Sequence, residues 1–425
     1  MGRSLKSISL IVLASLIAGI IVGALVRAEA PQLASAAEVV EAFGGLWLNA
    51  LSMTVVPLVV SLLITGIASV ADATKTGGLV ARAIALFSLL IVFASVFGIV
   101  VTQTLLTLWP VDRGVAAGFI ESVGAGAIVI EEPPSFVAWL QGLAPANPVS
   151  AAASNQILQL VVFAIFFGFA TTRLPAAMRD QLVGFFRAVS EAMIVIVRWI
   201  LLAGPLGVFA LALGVGLRAG FGAAGTLVQY VIIVSAATLG ITIVAWLIAV
   251  TWGRQPIARF TAATAPVWAI AASTQSSLAS LPAMLEAALR GLRIPAHVAD
   301  VVLPLAVAVF RFTSPVANLA VCFFVAHLYG VEPSLLQIAG AIVVAFGVSV
   351  GSVGLPGQIS FVASIAPICM ALGIPFELLG ILLAVEVIPD IFRTLGNVTG
   401  DLAATSILAR KEAREPSEPT AIEAA

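Results

Sequence analysis

The stretch that decides the fold is residues 386–401, EVIPDIFRTLGNVTGD, which lies inside an apolar segment spanning 376–409. Its polar residues recur every three or four positions, so a helix would carry them on one face. They are Glu386, Asp390, Arg393, Asn397 and Asp401. Since a charge at membrane depth costs at least about 2.5–3.5 kcal/mol on insertion scales, this face must turn toward a protein interior. The pattern favours a path for a solute or ion over a mere structural ion pair between Asp390 and Arg393.

The composition of the whole chain agrees with a membrane environment. Of its 425 residues, 61% are hydrophobic and 10% are charged, whereas about a quarter are charged in soluble domains. A net charge of −1 gives no reason to expect a nucleic-acid partner. Two cysteines and two histidines suggest neither a disulfide framework nor a metal cluster. We therefore expect an all-α integral membrane protein without a cofactor.

Apolar runs long enough to cross about 30 Å of hydrocarbon recur along the chain. The eight predicted transmembrane helices lie near 8–26, 47–72, 83–109, 156–172, 192–216, 224–252, 300–328 and 376–409. The fourth has a Gly- and Pro-interrupted stretch, 115–155, on its N-terminal side.

Two further apolar stretches are interrupted at their centres. Residues 260–292, hairpin 1, contain Ser273-Thr-Gln-Ser-Ser277, and residues 335–375, hairpin 2, contain Gly351-Ser-Val-Gly-Leu-Pro-Gly357. Irregular backbone at membrane depth survives only when it is buried in protein or faces a watery cavity. We therefore predict two re-entrant helical hairpins, and paired interruptions of this kind point to a transport site.

The basic residues predict the orientation. With both termini in the cytoplasm, fourteen Lys and Arg residues fall on the cytoplasmic side and only Arg27, Arg113 and Arg218 fall outside. This positive-inside bias requires both hairpins to re-enter. The predicted location is the plasma membrane or a bacterial inner membrane, with a disordered cytoplasmic tail over 410–425.

Several motifs together resemble one family. Asp390-Ile-Phe-Arg-Thr394 followed by Asn397-Val-Thr-Gly-Asp401 is similar to the last helix of the dicarboxylate/amino acid:cation symporter family, which includes the glutamate transporters. Weaker agreement covers most of the chain. It includes Met53–Leu58, Pro145–Pro148, Asn155-Gln156 with Val161–Ile165, Ser276-Ser277 with Leu281-Pro282, and Gly354–Gly357.

The resemblance implies a homotrimer of the glutamate-transporter fold, with inverted repeats, that works by an elevator mechanism. Its static scaffold would hold helices 1 and 2 (1–72) and helices 4 and 5 (111–220). Its moving transport domain would hold helix 3 (73–110) and residues 221–409.

The resemblance also implies the roles of site residues. Asp390 would hold a solute ammonium group, Arg393 a side-chain carboxylate, and Asp401 a sodium ion. The remaining implied solute-binding positions are Thr394, Asn397, Ser314, Ser276 and Ser277, and Gly354, Pro356 and Gly357 of hairpin 2. A guanidinium suits this role because it offers a planar two-point match to a carboxylate.

The sequence departs from the family pattern where sodium ligands are expected. The family motif Asn-Met-Asp-Gly-Thr is replaced by Phe310-Arg-Phe-Thr-Ser314, and Leu89–Phe93 in helix 3 is entirely apolar. A hard cation needs several oxygen ligands, which phenyl rings cannot supply. Arg311 would instead pair with Asp401 and replace the ion, unless it forms only a structural salt bridge. We predict weakened or absent sodium coupling, with a proton on Glu386 or Asp390 as the alternative driver and Asp401 as a weaker candidate.

Three functions remain open on the sequence. The first is transport of acidic amino acids such as aspartate and glutamate. The second is transport of C4-dicarboxylates, which Asp390 opposes because it would repel a dianion. The third is an intramembrane enzyme or a non-transporting sensor, although the sequence shows no nucleophile motif, metal cluster or phosphate loop. We predict that the protein is not an enzyme.

Overall fold

The computed structural model describes residues 2–74, 78–122, 136–154, 156–220, 222–351 and 357–412. These residues are almost entirely helical, and no β-strand occurs among them. The predicted all-α fold class is therefore confirmed.

The first half of the chain forms ten helices. They are α1 (Gly2–Glu29), α2 (Ala34–Ser52), α3 (Val55–Thr74), α4 (Gly78–Leu108), α5 (Arg113–Ser122), α6 (Phe136–Gln141), α7 (Pro148–Ala153), α8 (Ile157–Thr171), α9 (Ala176–Leu202) and α10 (Gly204–Ala219).

The second half forms nine. They are α11 (Gly222–Thr251), α12 (Ile257–Thr274), α13 (Ser277–Glu286), α14 (Ala296–Val309), α15 (Ser314–Tyr329), α16 (Leu335–Gly351), α17 (Gly357–Ala371), α18 (Leu379–Leu382) and α19 (Val387–Glu412). A π-helical turn, Ala287–Gly291, extends α13.

Five helical stretches in the described parts of the chain are long and apolar enough to cross a membrane. They are Ile11–Glu29, Ser35–Ser69, Gly78–Leu108, Gly222–Thr251 and Ala296–Tyr329. The bent pair α9 and α10 can make a sixth, and three shorter apolar helices also occur. The chain is thus a multi-pass membrane protein, while the count of eight spans and two hairpins stays a prediction.

Four predicted spans contain a helix break, and those at 47–72 and 376–409 break at residues 53–54 and 383–386. The segment predicted at 192–216 consists of the C-terminal part of α9 and most of α10, which meet at Ala203 with a bend of 61°. Pro205 lies in the first turn of α10, where its missing N–H is tolerated, whereas inside a continuous helix it would remove a hydrogen bond. The segment predicted at 300–328 is interrupted between Val309 and Ser314. The four intervening residues, 310–313, belong to the candidate site.

Both predicted hairpins consist of two helices that pack against each other. In hairpin 1, α12 and α13 meet at Gln275 and Ser276. In hairpin 2, α16 and α17 pack together, and the connecting residues 352–356 lie outside the described residues. The last helix extends to Glu412, past the predicted end at 409, and the rest of the predicted tail lies outside the described residues.

The packing of α19 determines where its polar face lies. This helix contacts α11, α12, α13 and α14, while α4 packs against α15 and α11. Hairpin 1 and the broken pair α14 and α15 therefore surround the predicted polar stripe.

Candidate solute and ion site

The polar stripe of α19 and the residue just before it are buried, as the spacing predicted. Glu386 and Asp401 are fully buried, and Asp390, Arg393 and Asn397 are each at most 3% exposed. Since burying a charge is costly unless it is paired, each of these groups needs a partner or a ligand.

Arg393 is held by an acidic residue of its own segment. Its Nη2 donates to Glu386 Oε1 at 2.6 Å, and the two side chains are 2% and 0% exposed. The Tyr230 hydroxyl on α11 donates to Glu386 Oε2 at 2.8 Å. Arg393 Nε is buried and has no hydrogen-bond partner among the described residues. At least one donor of this guanidinium, the Nε–H, therefore remains for a further acceptor.

Asn397 joins α19 to the break between α14 and α15. Its Oδ1 accepts from the Thr313 backbone N–H at 2.9 Å and from the Thr313 hydroxyl at 2.8 Å. The same hydroxyl lies 2.6 Å from the Arg393 carbonyl oxygen. The break in the helix leaves backbone groups without helical partners, and Asn397 satisfies one of them.

A cavity lies between the tip of hairpin 1, the broken helix and α19. Its lining side chains from all three elements are Gln275, Ser276, Ser277, Val307, Phe310, Arg311, Thr394, Asn397 and Asp401. Two predicted solute-binding segments, the hairpin tip and the α19 stripe, thus meet at one cavity.

The tip of hairpin 1 has a strained but anchored backbone. Gln275 adopts a left-handed conformation with φ of 52°, which non-glycine residues rarely take. Its Nε2 donates to the Val387 carbonyl at 2.9 Å, which ties the tip to the start of α19. Ser276 caps α13 by accepting from the Ala279 N–H at 3.2 Å.

Asp401 lies in this cavity without a hydrogen bond. Both of its carboxylate oxygens lack a hydrogen-bond partner among the described residues, and the side chain is fully buried. The predicted pairing of Asp401 with Arg311 stays a prediction. Arg311 is 9% exposed and lies with Asp401 on the cavity wall.

Aromatic rings fill the region where the sequence lacks expected sodium ligands. Phe310 stacks on Phe87 of α4 with centroids 4.4 Å apart and planes at 11°, and Phe312 lies 5.6 Å from Phe310. Both phenylalanines of the break are 1% exposed. The predicted helix 3 corresponds to α4. Leu89 and Phe93 are exposed on its outer side, and the inner face is formed by Phe87 and its buried neighbours Leu90 and Ile91. This wall offers no side-chain oxygen.

Of the other predicted site residues in the described part of the chain, some line the cavity and others do not. Thr394 lines the cavity, and its hydroxyl donates to the Asp390 carbonyl at 2.9 Å. Ser314 is buried at the first turn of α15 and is not among the described lining residues. Gly357 begins α17, while Gly354 and Pro356 lie outside the described residues. The binding roles of all five stay predictions.

Sequence reasoning missed two contributors. Tyr230 and Thr313 hold Glu386 and Asn397, yet both lie on other elements, 156 and 84 residues away from their partners. A hydroxyl in an apolar helix is a weak signal, because most such groups bond within their own helix.

A multi-pass helical fold that encloses charged residues beside a hairpin tip defines the class of membrane transporters. Residues 8–411 match the sodium:dicarboxylate symporter family, so the chain belongs to that family and is a transporter rather than an enzyme.

Several curated relatives match over most of their length. The chain is 28% identical to the proton/glutamate-aspartate symporter of Escherichia coli, over 87% of this chain and 84% of the relative. It is also 28% identical to the proton/sodium-glutamate symport protein of Bacillus caldotenax, over 95% and 94%. It is 29% identical to the human neutral amino acid transporter B(0), over 97% and 81%.

Proposed function

We propose that this protein is a secondary active transporter that moves aspartate and glutamate across the cell membrane. The observation that carries the proposal is the meeting of the α19 stripe with the tip of hairpin 1 at one cavity. The names of two relatives, a proton/glutamate-aspartate symporter and a proton/sodium-glutamate symport protein, favour the same solutes.

Two groups on α19 suit an acidic amino acid. The Asp390 carboxylate would bind the ammonium group. Arg393 would bind the side-chain carboxylate through guanidinium N–H groups that Glu386 does not use, since its Nε has no hydrogen-bond partner among the described residues. Glu386 would hold the guanidinium in place before the solute arrives, and Tyr230 would orient Glu386.

We propose an elevator mechanism in a homotrimer. The scaffold would contain α1–α3 and α5–α10, and the transport domain would contain α4 and α11–α19. The contacts of α19 with α11–α14 support its assignment to one moving unit. Both termini would face the cytoplasm, as the distribution of Lys and Arg predicts.

Coupling of solute transport to sodium should be weaker than the family name implies. Phe87, Phe310 and Phe312 form an apolar wall, and Arg311 supplies a positive charge that cannot dissociate. A tethered charge cannot transmit the energy of a gradient, so concentrative transport would need a proton. Glu386 and Asp390 are the candidate carriers, and Asp401 is a weaker one because Arg311 lines the same cavity as a counter-charge.

Uptake of radiolabelled aspartate into proteoliposomes tests the proposal directly. Sodium, potassium and pH gradients are imposed one at a time, with protein-free liposomes as the control. We expect uptake above that control, driven by an inward proton gradient. Vesicles that take up no aspartate under any gradient would contradict transport of this solute.

Competition by succinate is expected to be at least about tenfold weaker than competition by aspartate. Succinate lacks the ammonium group that Asp390 would bind, and one charge-assisted hydrogen bond contributes about 1.5–3 kcal/mol. The measurement is inhibition of labelled aspartate uptake by each compound. Equal inhibition would replace the amino acid assignment with C4-dicarboxylates.

Aspartate affinity is expected to stay within about twofold as sodium is withdrawn. Phe87 and Phe310 form an apolar wall without side-chain oxygens on the side where the family supplies sodium ligands, and a hard cation needs several such ligands. The dissociation constant is measured from nominally zero to saturating sodium, with choline as the balancing ion. A steep loss of affinity without sodium would show that Asp401 and backbone carbonyls still form a working sodium site.

A further inference from the structure

We infer that Arg311 binds the α-carboxylate of the transported amino acid, so that two guanidiniums divide the two carboxylates of the solute between them. This inference rests on the proposed function, because it assigns a ligand within the same site. The family resemblance implies that backbone N–H groups at the hairpin tips bind this carboxylate, and it implies no solute contact for Arg311.

The position of Arg311 supports this role. Its side chain lines the cavity together with Ser276 and Ser277 of hairpin 1 and with Thr394 and Asn397 of α19. Among the described residues, Arg393 is not part of this lining and is held at 2.6 Å by Glu386. Arg311 therefore brings a guanidinium to the wall that hairpin 1 and α19 share.

The charges around Arg311 match the head group of an amino acid. The ammonium and the α-carboxylate of any amino acid are attached to one carbon, so the groups that bind them must be neighbours. Asp390 lies one turn before Thr394 on α19 and accepts the Thr394 hydroxyl at its carbonyl oxygen, and Thr394 lines the same cavity as Arg311. A basic side chain on the cavity wall and an acidic side chain one turn from that wall would complement the zwitterion, with each solute charge facing its opposite.

The guanidinium also has enough donors for two acceptors. Its five N–H groups lie in a fixed planar fork, so one edge can face Asp401 while another faces a carboxylate. Asp401 has no hydrogen-bond partner among the described residues and lines the same cavity, so its carboxylate would balance part of the charge of Arg311.

The assignment also separates the two arginines by function. The α-carboxylate occurs in every amino acid, so Arg311 would serve binding in general. The side-chain carboxylate occurs only in acidic amino acids, so Arg393 would set the preference for them.

The test combines changes in the solute with changes in the protein. The dissociation constants of aspartate, of its α-carboxamide and of asparagine are measured on purified wild type and on Arg311→Gln. In the wild type, we expect each carboxamide to bind at least about tenfold more weakly than aspartate, because each loses a charge-assisted contact. We call the ratio of each carboxamide's dissociation constant to that of aspartate its penalty. In Arg311→Gln, the penalty for the α-carboxamide should fall to about threefold or less, while the penalty for asparagine stays unchanged.

A general structural disturbance would weaken all three solutes equally, so the ratios separate binding from folding. Arg290→Gln is the control, because Arg290 is an exposed basic residue at the end of hairpin 1 with 84% side-chain exposure. It should leave both ratios unchanged. If Arg311→Gln does not fold, Arg311→Lys keeps the charge but loses the planar fork, and it should reduce the α-carboxamide penalty at least about threefold.

The possible results are distinguishable. A wild type that binds no aspartate would contradict the proposed function and this inference with it. A wild type that binds aspartate, with an α-carboxamide penalty that is the same in the Arg311 variants, would overturn the role of Arg311 and leave the proposed function standing.

Discussion

Arg393→Cys is expected to abolish aspartate and glutamate binding and to destabilise the folded protein as well. The loss of binding follows from removal of a two-point, charge-assisted contact that contributes about 1.5–3 kcal/mol per hydrogen bond. The loss of stability follows from Glu386, which is fully buried and would keep only the Tyr230 hydroxyl as a partner. Removing one member of a buried ion pair typically costs about 3–5 kcal/mol.

A double variant separates these two effects. Arg393→Cys combined with Glu386→Gln removes the unpaired charge, so thermal stability in detergent should recover while aspartate binding stays absent. Some affinity for neutral amino acids is expected to persist in both variants, because Asp390 and the cavity lining remain. Unchanged aspartate affinity in Arg393→Cys would show that Arg393 is not a carboxylate ligand.

Gly396→Ala is expected to cause the second large loss, of both stability and transport. A Cβ atom at this position would lie 2.2 Å from Thr313 Cγ2 and 2.5 Å from Thr242 Oγ1. Such contacts force α19 away from the helix break, and overpacking of this kind costs about 1–3 kcal/mol. The displacement would also stretch the hydrogen bonds from Thr313 to Asn397, which are 2.8 and 2.9 Å long.

Thermal stability and aspartate uptake of the Gly396 variant are compared with those of Gly225→Ala on α11. At Gly225 a Cβ would meet no atom of the described residues within 4 Å, so this control should behave like the wild type. Adding Thr313→Ser to Gly396→Ala removes the closest methyl group but keeps the hydroxyl, and it should restore part of both properties. Wild-type behaviour of Gly396→Ala alone would disprove close packing between α19 and the helix break.

The local sequence pattern was sufficient to predict that this is a membrane protein and that α19 has one polar face. Both depend on properties that each residue has wherever the chain places it: the cost of transferring it into hydrocarbon, and the 3.6-residue period that puts Asp390, Arg393 and Asn397 on one side. The hairpin interruptions were visible for a similar reason, because Gly, Pro and Ser at the centre of an apolar run disfavour a continuous span.

Only some of the helix breaks could be predicted from the sequence. Gly204 and Pro205 mark the bend between α9 and α10, but Pro266, Pro282, Pro304 and Pro367 lie inside helices that continue through them. A proline ends a helix only where the freed carbonyl and the changed direction suit the surrounding packing. The break at 310–313 contains no proline, and its backbone is stabilised by Asn397 from a distant helix.

By itself, the sequence determined the membrane environment, the amphipathic last helix and the set of charges that had to be enclosed. Only the tertiary structure decided how those charges are paired. Arg393 lies one turn from Asp390 in the sequence but bonds to Glu386, which Tyr230 holds from α11. The tertiary structure also placed Arg311 on the cavity wall beside hairpin 1 and stacked Phe310 on Phe87. These contacts join residues far apart in the chain, and which groups meet depends on how whole helices pack, which no local spacing records.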